Sequence, residues 1–305
     1  MAAEPYAVIL MAYGGPETLD DVEPYLLDVR GGRPTSPELV AEIRGHYAQI
    51  GGGSPLRRWT AAQAAALAEA LRLPVYVGMR HWQPFIKDTV ERIVSDGHRR
   101  VVAVAMAPHY STLSVGAYEK RLIEAAGGRL ELALVRSWGE HPQYLEALHE
   151  HLAQVLQRFP APLEVQVIFT AHSLPRKILE TGDPYPDELR RTAQALAARL
   201  RLRPGQWDLA WQSAGHLPEP WLEPDAGTVL ERLAAQGHRD VILAPIGFVC
   251  DHVEVLYDVD VEYQALARRL GLRLERPRSL NDDPALIGAL ADLVRRAARE
   301  RGWLG

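Results

Sequence analysis

A chain of 305 residues with 47% hydrophobic and 24% charged side chains is long enough for two domains and has the composition of an ordinary globular protein. Its net charge of -5 without a long basic run argues against a general nucleic-acid binder, and no apolar run approaches the ~18 residues that span a bilayer. The single Cys250 excludes an internal disulfide or a four-cysteine cluster, and the chain opens without a basic-plus-apolar leader, so a cytoplasmic protein with a small-molecule partner is expected.

In chain order, apolar runs that read as buried strands alternate with helical patterns: Ala7–Met11, Val75–Val77, Val101–Met106, Val165–Phe169, Leu209–Trp211 and Val241–Ile246. This alternation predicts an α/β fold of βαβ units with parallel sheets. Between the first two runs, Arg30-Gly-Gly-Arg-Pro and Gly51-Gly-Gly-Ser-Pro bracket one short helix. Such a loop-rich insert beside a strand end suits a substrate lip. The helical run His141 to Phe159 is closed by Phe-Pro-Ala-Pro and predicts the junction between halves. Asp283 to Arg301 predicts a last helix with Leu286, Leu290 and Leu293 inward.

Asp96-Gly-His-Arg-Arg-Val and Gln236-Gly-His-Arg-Asp-Val echo each other at an offset of 140 residues. The segments Val8–Gly14 and Val167–Ser173 echo each other at a similar offset, so the halves read as duplicated doubly wound domains. Ligands gather beyond the carboxyl ends of strands in such sheets. That rule singles out Tyr13, Met79 to His81, His109, His172, Ser213 and Asp251 to Glu254.

The segment Asp251–Tyr263 carries five carboxylates interleaved with apolar residues, and a helix through it is expected to stop at Gly271. Glu254, Asp258 and Glu262 then fall one turn apart on one face. They are either the wet side of an amphipathic helix or a ladder whose mutual repulsion a cation relieves. His172 ends a buried strand, where a histidine is commonly structural. Its place in the same half as Glu254 would let the two meet, and an imidazole facing a carboxylate suits Fe²⁺, Zn²⁺ or Co²⁺ as well as proton transfer. Ser173 lacks a nucleophile elbow, and the glycine-rich Gly51-Gly-Gly-Ser lacks the Walker lysine. The other histidines, His216 among them, form no His-Glu-x-x-His pair.

Seven motifs resemble, in order, the signatures of the ferrochelatase family. They are Met11-Ala-Tyr-Gly-Gly-Pro, Ala107-Pro-His-Tyr-Ser-Thr, Thr170-Ala-His-Ser-Leu-Pro, Gly182-Asp-Pro-Tyr-Pro-Asp, Trp211-Gln-Ser, Pro220-Trp-Leu-x-Pro-Asp and Gly247-Phe-Val-Cys-Asp-His-Val-Glu-Val-Leu-Tyr-Asp. The resemblance implies two similar doubly wound, Rossmann- or flavodoxin-like domains with four-stranded parallel sheets, at residues 1–158 and 159–280. Residues 281–305 would form a helix packed back on the body. It implies insertion of Fe²⁺ into a porphyrin held between the halves, with His172 and Glu254 as the metal- and proton-handling pair. Tyr13 would ligate the iron of the product, and Asp258 and Glu262 would form an outer cation site. Arg30, His46, Tyr47, Ser54 and Tyr118 would line the porphyrin edge, with His46 departing from the arginine common in close bacterial relatives.

Iron is then a substrate rather than a resident cofactor, and a chain ending without a cysteine-bearing extension is expected to hold no [2Fe–2S] cluster. A monomer without stable membrane insertion is expected. The polar lip from Arg30 to Tyr47 points to coproporphyrin III, which carries four propionates. The alternatives are a protoporphyrin IX ferrochelatase, a cobalt or sirohydrochlorin chelatase, and a non-catalytic tetrapyrrole-binding protein.

Overall fold

The computed structural model describes residues 6–215 and 218–304, so His216 lies outside the described residues. The chain forms two compact units, one comprising residues 6–138, Cys250–His252 and 281–304, the other Gly139–Val249 and Val253–Leu280. The first runs β1 (Ala7–Ala12), α1 (Val22–Val29), α2 (Pro37–Gln49), α3 (Leu56–Leu71), β2 (Val75–Met79), α4 (Ile86–Ser95), β3 (Arg100–Ala105), α5 (Val115–Ala126) and β4 (Glu131–Val135). The second runs α6 (Pro142–Leu156), β5 (Gln166–His172), α7 (Tyr185–Arg199), β6 (Trp207–Gln212), α8 (Ala226–Ala235), β7 (Asp240–Ala244), α9 (Val253–Leu256), α10 (Gln264–Leu270) and β8 (Arg273–Glu275). A π-helical segment, Asp258–Tyr263, joins α9 to α10. The last helix, α11 (Pro284–Glu300), belongs to the first unit.

Both sheets are parallel and share one topology, β2-β1-β3-β4 and β6-β5-β7-β8. The central strands β1 and β5 are paired on both sides and covered on both faces, which is why their sequences are continuous apolar runs rather than alternating ones. Ile9, Met11, Val90, Ile93, Val101 and Leu122 form one core, and Ile168, Val229, Leu230, Val241, Leu243 and Val259 the equivalent core of the second unit. The 140-residue echo is a shared helix stop. Gly97 and Gly237 take φ of 88° and 87°, a left-handed conformation that glycine adopts without a Cβ penalty. The amides of His98 and His238 then close back on the Ile93 and Leu233 carbonyls.

The structure departs from the sequence expectations in three places. β4 and β8 carry no distinctive run because each is an edge strand, and β8 is three residues long. The boundary falls earlier than residue 158, because α6 packs on α7 and β7 and so joins the second unit. In α11 the inward face is Leu286, Leu290 and Val294, with Leu293 half-buried beside it. Asp283 caps that helix by accepting from the Ala285 amide, ahead of Pro284 in its first turn. Among the described residues, no helix is long and apolar enough to cross a membrane.

Candidate active site

In the second unit, His172 is the last residue of β5 and Glu254 lies in the first turn of α9, which follows the end of the adjacent strand β7. Both elements present their side chains beyond the carboxyl end of the sheet, as the topology requires. His172 Nε2 stands 3.5 Å from Glu254 Oε1, and each side chain keeps about a third of its surface exposed, at 31% and 29%. The imidazole orientation is fixed by a short hydrogen bond between Nδ1 and the Ser173 carbonyl. A carbonyl only accepts, so Nδ1 carries a proton, and in the neutral ring it is Nε2 that offers a lone pair toward the carboxylate. An imidazole nitrogen and a carboxylate oxygen thus converge on one point open to solvent, an arrangement able to bind a cation or share a proton.

The support beneath the pair is buried. Tyr185 donates to the His172 carbonyl at 3.0 Å. Burial raises the phenol's pKa, with Glu254 and Asp183 adding to the effect, so it remains a donor. The Ser173 hydroxyl is buried and donates to the Leu222 carbonyl, which agrees with the absence of a nucleophile motif. Gly247 reaches Thr170 through its amide at 3.1 Å. A Cβ there would stand 2.5 Å from that of Ala171, so only glycine lets the segment after β7 lie this close to β5.

The acidic stretch is helical as predicted, but it is not one continuous α-helix. After α9 the bonding widens, with the Glu262 amide donating to the Tyr257 carbonyl five residues back. Val255 and Val259 fill the buried side. Asp258 accepts from the Ser213 hydroxyl, and Glu262 is exposed. Among the described residues, no three His, Cys, Asp or Glu side chains gather as a metal cage. The structure therefore brings His172 to Glu254 and leaves Asp258 and Glu262 outside that pair. Asp260, the fourth of the five carboxylates, instead forms a two-pronged pair with Arg276 at 2.6 and 2.7 Å.

In the first unit, Tyr13 follows β1 and is 38% exposed. Its ring packs against His81 at 4.6 Å between centroids, and the Arg80 guanidinium lies 5.7 Å from the Tyr13 ring and 5.9 Å from that of Tyr118. Tyr47 and Tyr118 are buried, Arg30, His46 and Ser54 half-buried. Ser54 and the Tyr47 hydroxyl close around Gly15. His81 is buried and shares a 2.7 Å hydrogen bond with Asp28. Asp28 carries no signal in the sequence, because only the folded chain brings α1 to the end of β2.

Burial, reinforced by Arg80 and Arg121, outweighs the pull of Asp28 and lowers His81 from 6.5 to about 4. The unfolded chain accepts the proton near pH 6.5, and the folded one refuses it until about 4. Stability is therefore full above pH 6.5 and falls as pH drops toward 4, by on the order of 3 kcal/mol. Thermal melts across that window are expected to show a flatter decline for His81→Phe than for the wild-type chain. Parallel declines would remove His81 from the explanation.

The family model described as Ferrochelatase matches residues 5–298. A ferrochelatase of Deinococcus radiodurans is 43% identical over 307 residues, covering 97% of this chain and 97% of that protein. A coproporphyrin III ferrochelatase of Geobacillus thermodenitrificans is 38% identical, covering 98% of each. Among solved structures, the cobalt complex of the sirohydrochlorin chelatase SirB from Bacillus subtilis subspecies spizizenii aligns with a TM-score of 0.63 at 11% identity, over 98% of this chain and 97% of that one. At that identity the likeness concerns the fold alone.

Proposed function

This chain belongs to the ferrochelatase family and inserts ferrous iron into a porphyrin, and from that premise we propose that the porphyrin is coproporphyrin III and that His172 and Glu254 handle the metal and the protons. Insertion removes two protons from the pyrrole nitrogens while Fe²⁺ sheds water. His172 Nε2 takes the two protons in turn, passing the first to the Glu254 carboxylate and on to solvent before accepting the second, while that carboxylate also attracts the dication. Tyr13 serves as an oxygen ligand to the iron of the product, and Asp258 and Glu262 hold cations further out.

The character of the lip carries the substrate assignment. The exposed positions of α2 are Pro37, Glu38, Ala41, Glu42, Arg44, Ala48 and Gln49, with no large apolar side chain among them. Such a face suits water and a polycarboxylate better than a membrane surface. Not all the basic residues near it are available, since Arg44 pairs with Asp20 at 2.7 Å and Arg57 with Glu17 at 2.5 Å. Arg30 differs, because its Nε is buried without a hydrogen-bond partner. A charge-assisted bond from the other guanidinium nitrogens of this half-buried residue to a propionate would contribute about 1.5–3 kcal/mol. Relatives named simply as ferrochelatases and relatives named as coproporphyrin III ferrochelatases both resemble the chain, so the preference for coproporphyrin III rests on the lip alone.

The test is kcat/KM for coproporphyrin III against protoporphyrin IX in detergent-free buffer. A preference of at least about tenfold is expected, equivalent to one such contact, and Arg30→Ala should narrow it. Equal use of the two porphyrins, or preference for protoporphyrin IX, would overturn the assignment.

A further inference from the structure

Gln212 has no ionisable group and no exposure to solvent, yet both ends of its amide are engaged. Oε1 accepts from Thr170 Oγ1 at 2.7 Å, and Nε2 donates to the backbone carbonyl of Glu254 at 2.6 Å. A longer contact of 3.4 Å runs from Nε2 to the Ser213 hydroxyl. Thr170 lies two residues before His172 and so on the same face of β5. Gln212 itself is the β6 residue in register with His172, and its carbonyl accepts from the Ser173 amide at 2.7 Å. One side chain therefore ties the strand that ends in His172 to the turn that carries Glu254. The amide has a single satisfied orientation, because a flip would set its oxygen against the Glu254 carbonyl, which can only accept.

We propose that Gln212 is a positioning residue for metal insertion: its amide fixes the backbone of Glu254 relative to His172, and Thr170 fixes the amide. The inference rests on the assignment of His172 and Glu254 as the reacting pair. Groups that orient ligating side chains from behind typically contribute 10–100-fold to activity, and that is the range expected here.

Gln212→Met keeps the length of the side chain and removes both hydrogen bonds. Thr170→Val keeps its partner's shape and removes only the orienting bond. In an anaerobic insertion assay, kcat is expected to fall about 10–100-fold in Gln212→Met and by a smaller factor in Thr170→Val. Porphyrin affinity, read by fluorescence quenching, should stay within about twofold, because neither residue is placed at the porphyrin edge. A folded Gln212→Met variant with near wild-type kcat would overturn the proposal. So would equal losses of kcat and porphyrin affinity, the pattern of a purely structural residue. If Gln212→Met does not fold, Thr170→Val decides, and an unchanged kcat there overturns it. His172→Ala in the same assay separates the two levels. Wild-type insertion by that variant refutes the pair, whereas an inactive His172→Ala beside a fully active Gln212→Met refutes the role of Gln212 alone.

Discussion

His172→Ala is expected to lower kcat for iron insertion by about 10²–10⁴-fold, the contribution usual for a positioned proton acceptor. Two features of the site make the loss this large. The Ser173 carbonyl holds the Nδ1 proton, so in the neutral ring Nε2 is the proton-accepting nitrogen, and it faces Glu254 at 3.5 Å. Alanine removes this base and leaves the carboxylate as the sole member of the pair. Porphyrin affinity should change little, since truncating one partly exposed side chain deletes few of the contacts a macrocycle makes. Insertion and binding are measured on the same preparation, by anaerobic absorption kinetics and fluorescence titration. Retained insertion would show that another group takes the pyrrole protons.

Glu254→Gln is expected to cost about 10²-fold, despite its near-identical shape. An amide carries no charge to attract Fe²⁺. Its NH₂ group can also donate to the Nε2 lone pair of His172, which occupies the base. The loss should therefore appear in kcat and in the iron concentration needed, with an unchanged melting temperature. A drop in melting temperature with unchanged turnover would assign Glu254 to structure.

Much of this site was legible in the chain because strand ends are. A buried apolar run that stops at a histidine, and another followed by an acidic amphipathic stretch, place both side chains at the same end of a sheet from the residue pattern alone. The duplicated Gly-His turns disclosed the repeat because a left-handed helix stop demands glycine at the same position in both halves. What remained illegible depends on neighbours remote in sequence. Asp28 meets His81 across 53 positions, and Gln212 meets the Glu254 backbone across 42. The π-helical turn also left no mark, since the i, i+4 spacing of Glu254, Asp258 and Glu262 is compatible with α-helical and wider bonding alike. The rim shows the converse. Arg44 and Arg57 count as positive charges in the sequence, but Asp20 and Glu17 neutralise them in the fold.

The most direct test of the central claim is anaerobic incubation of the purified wild-type chain with coproporphyrin III and Fe²⁺, alongside Glu254→Gln at matched concentration. The wild-type chain should convert the many-banded visible spectrum of the free macrocycle to the simpler one of its iron complex, at a rate proportional to enzyme. The variant should be slower by about 10²-fold while still binding the porphyrin. Conversion at equal rates by both proteins, or no conversion by the wild-type chain, would contradict the account.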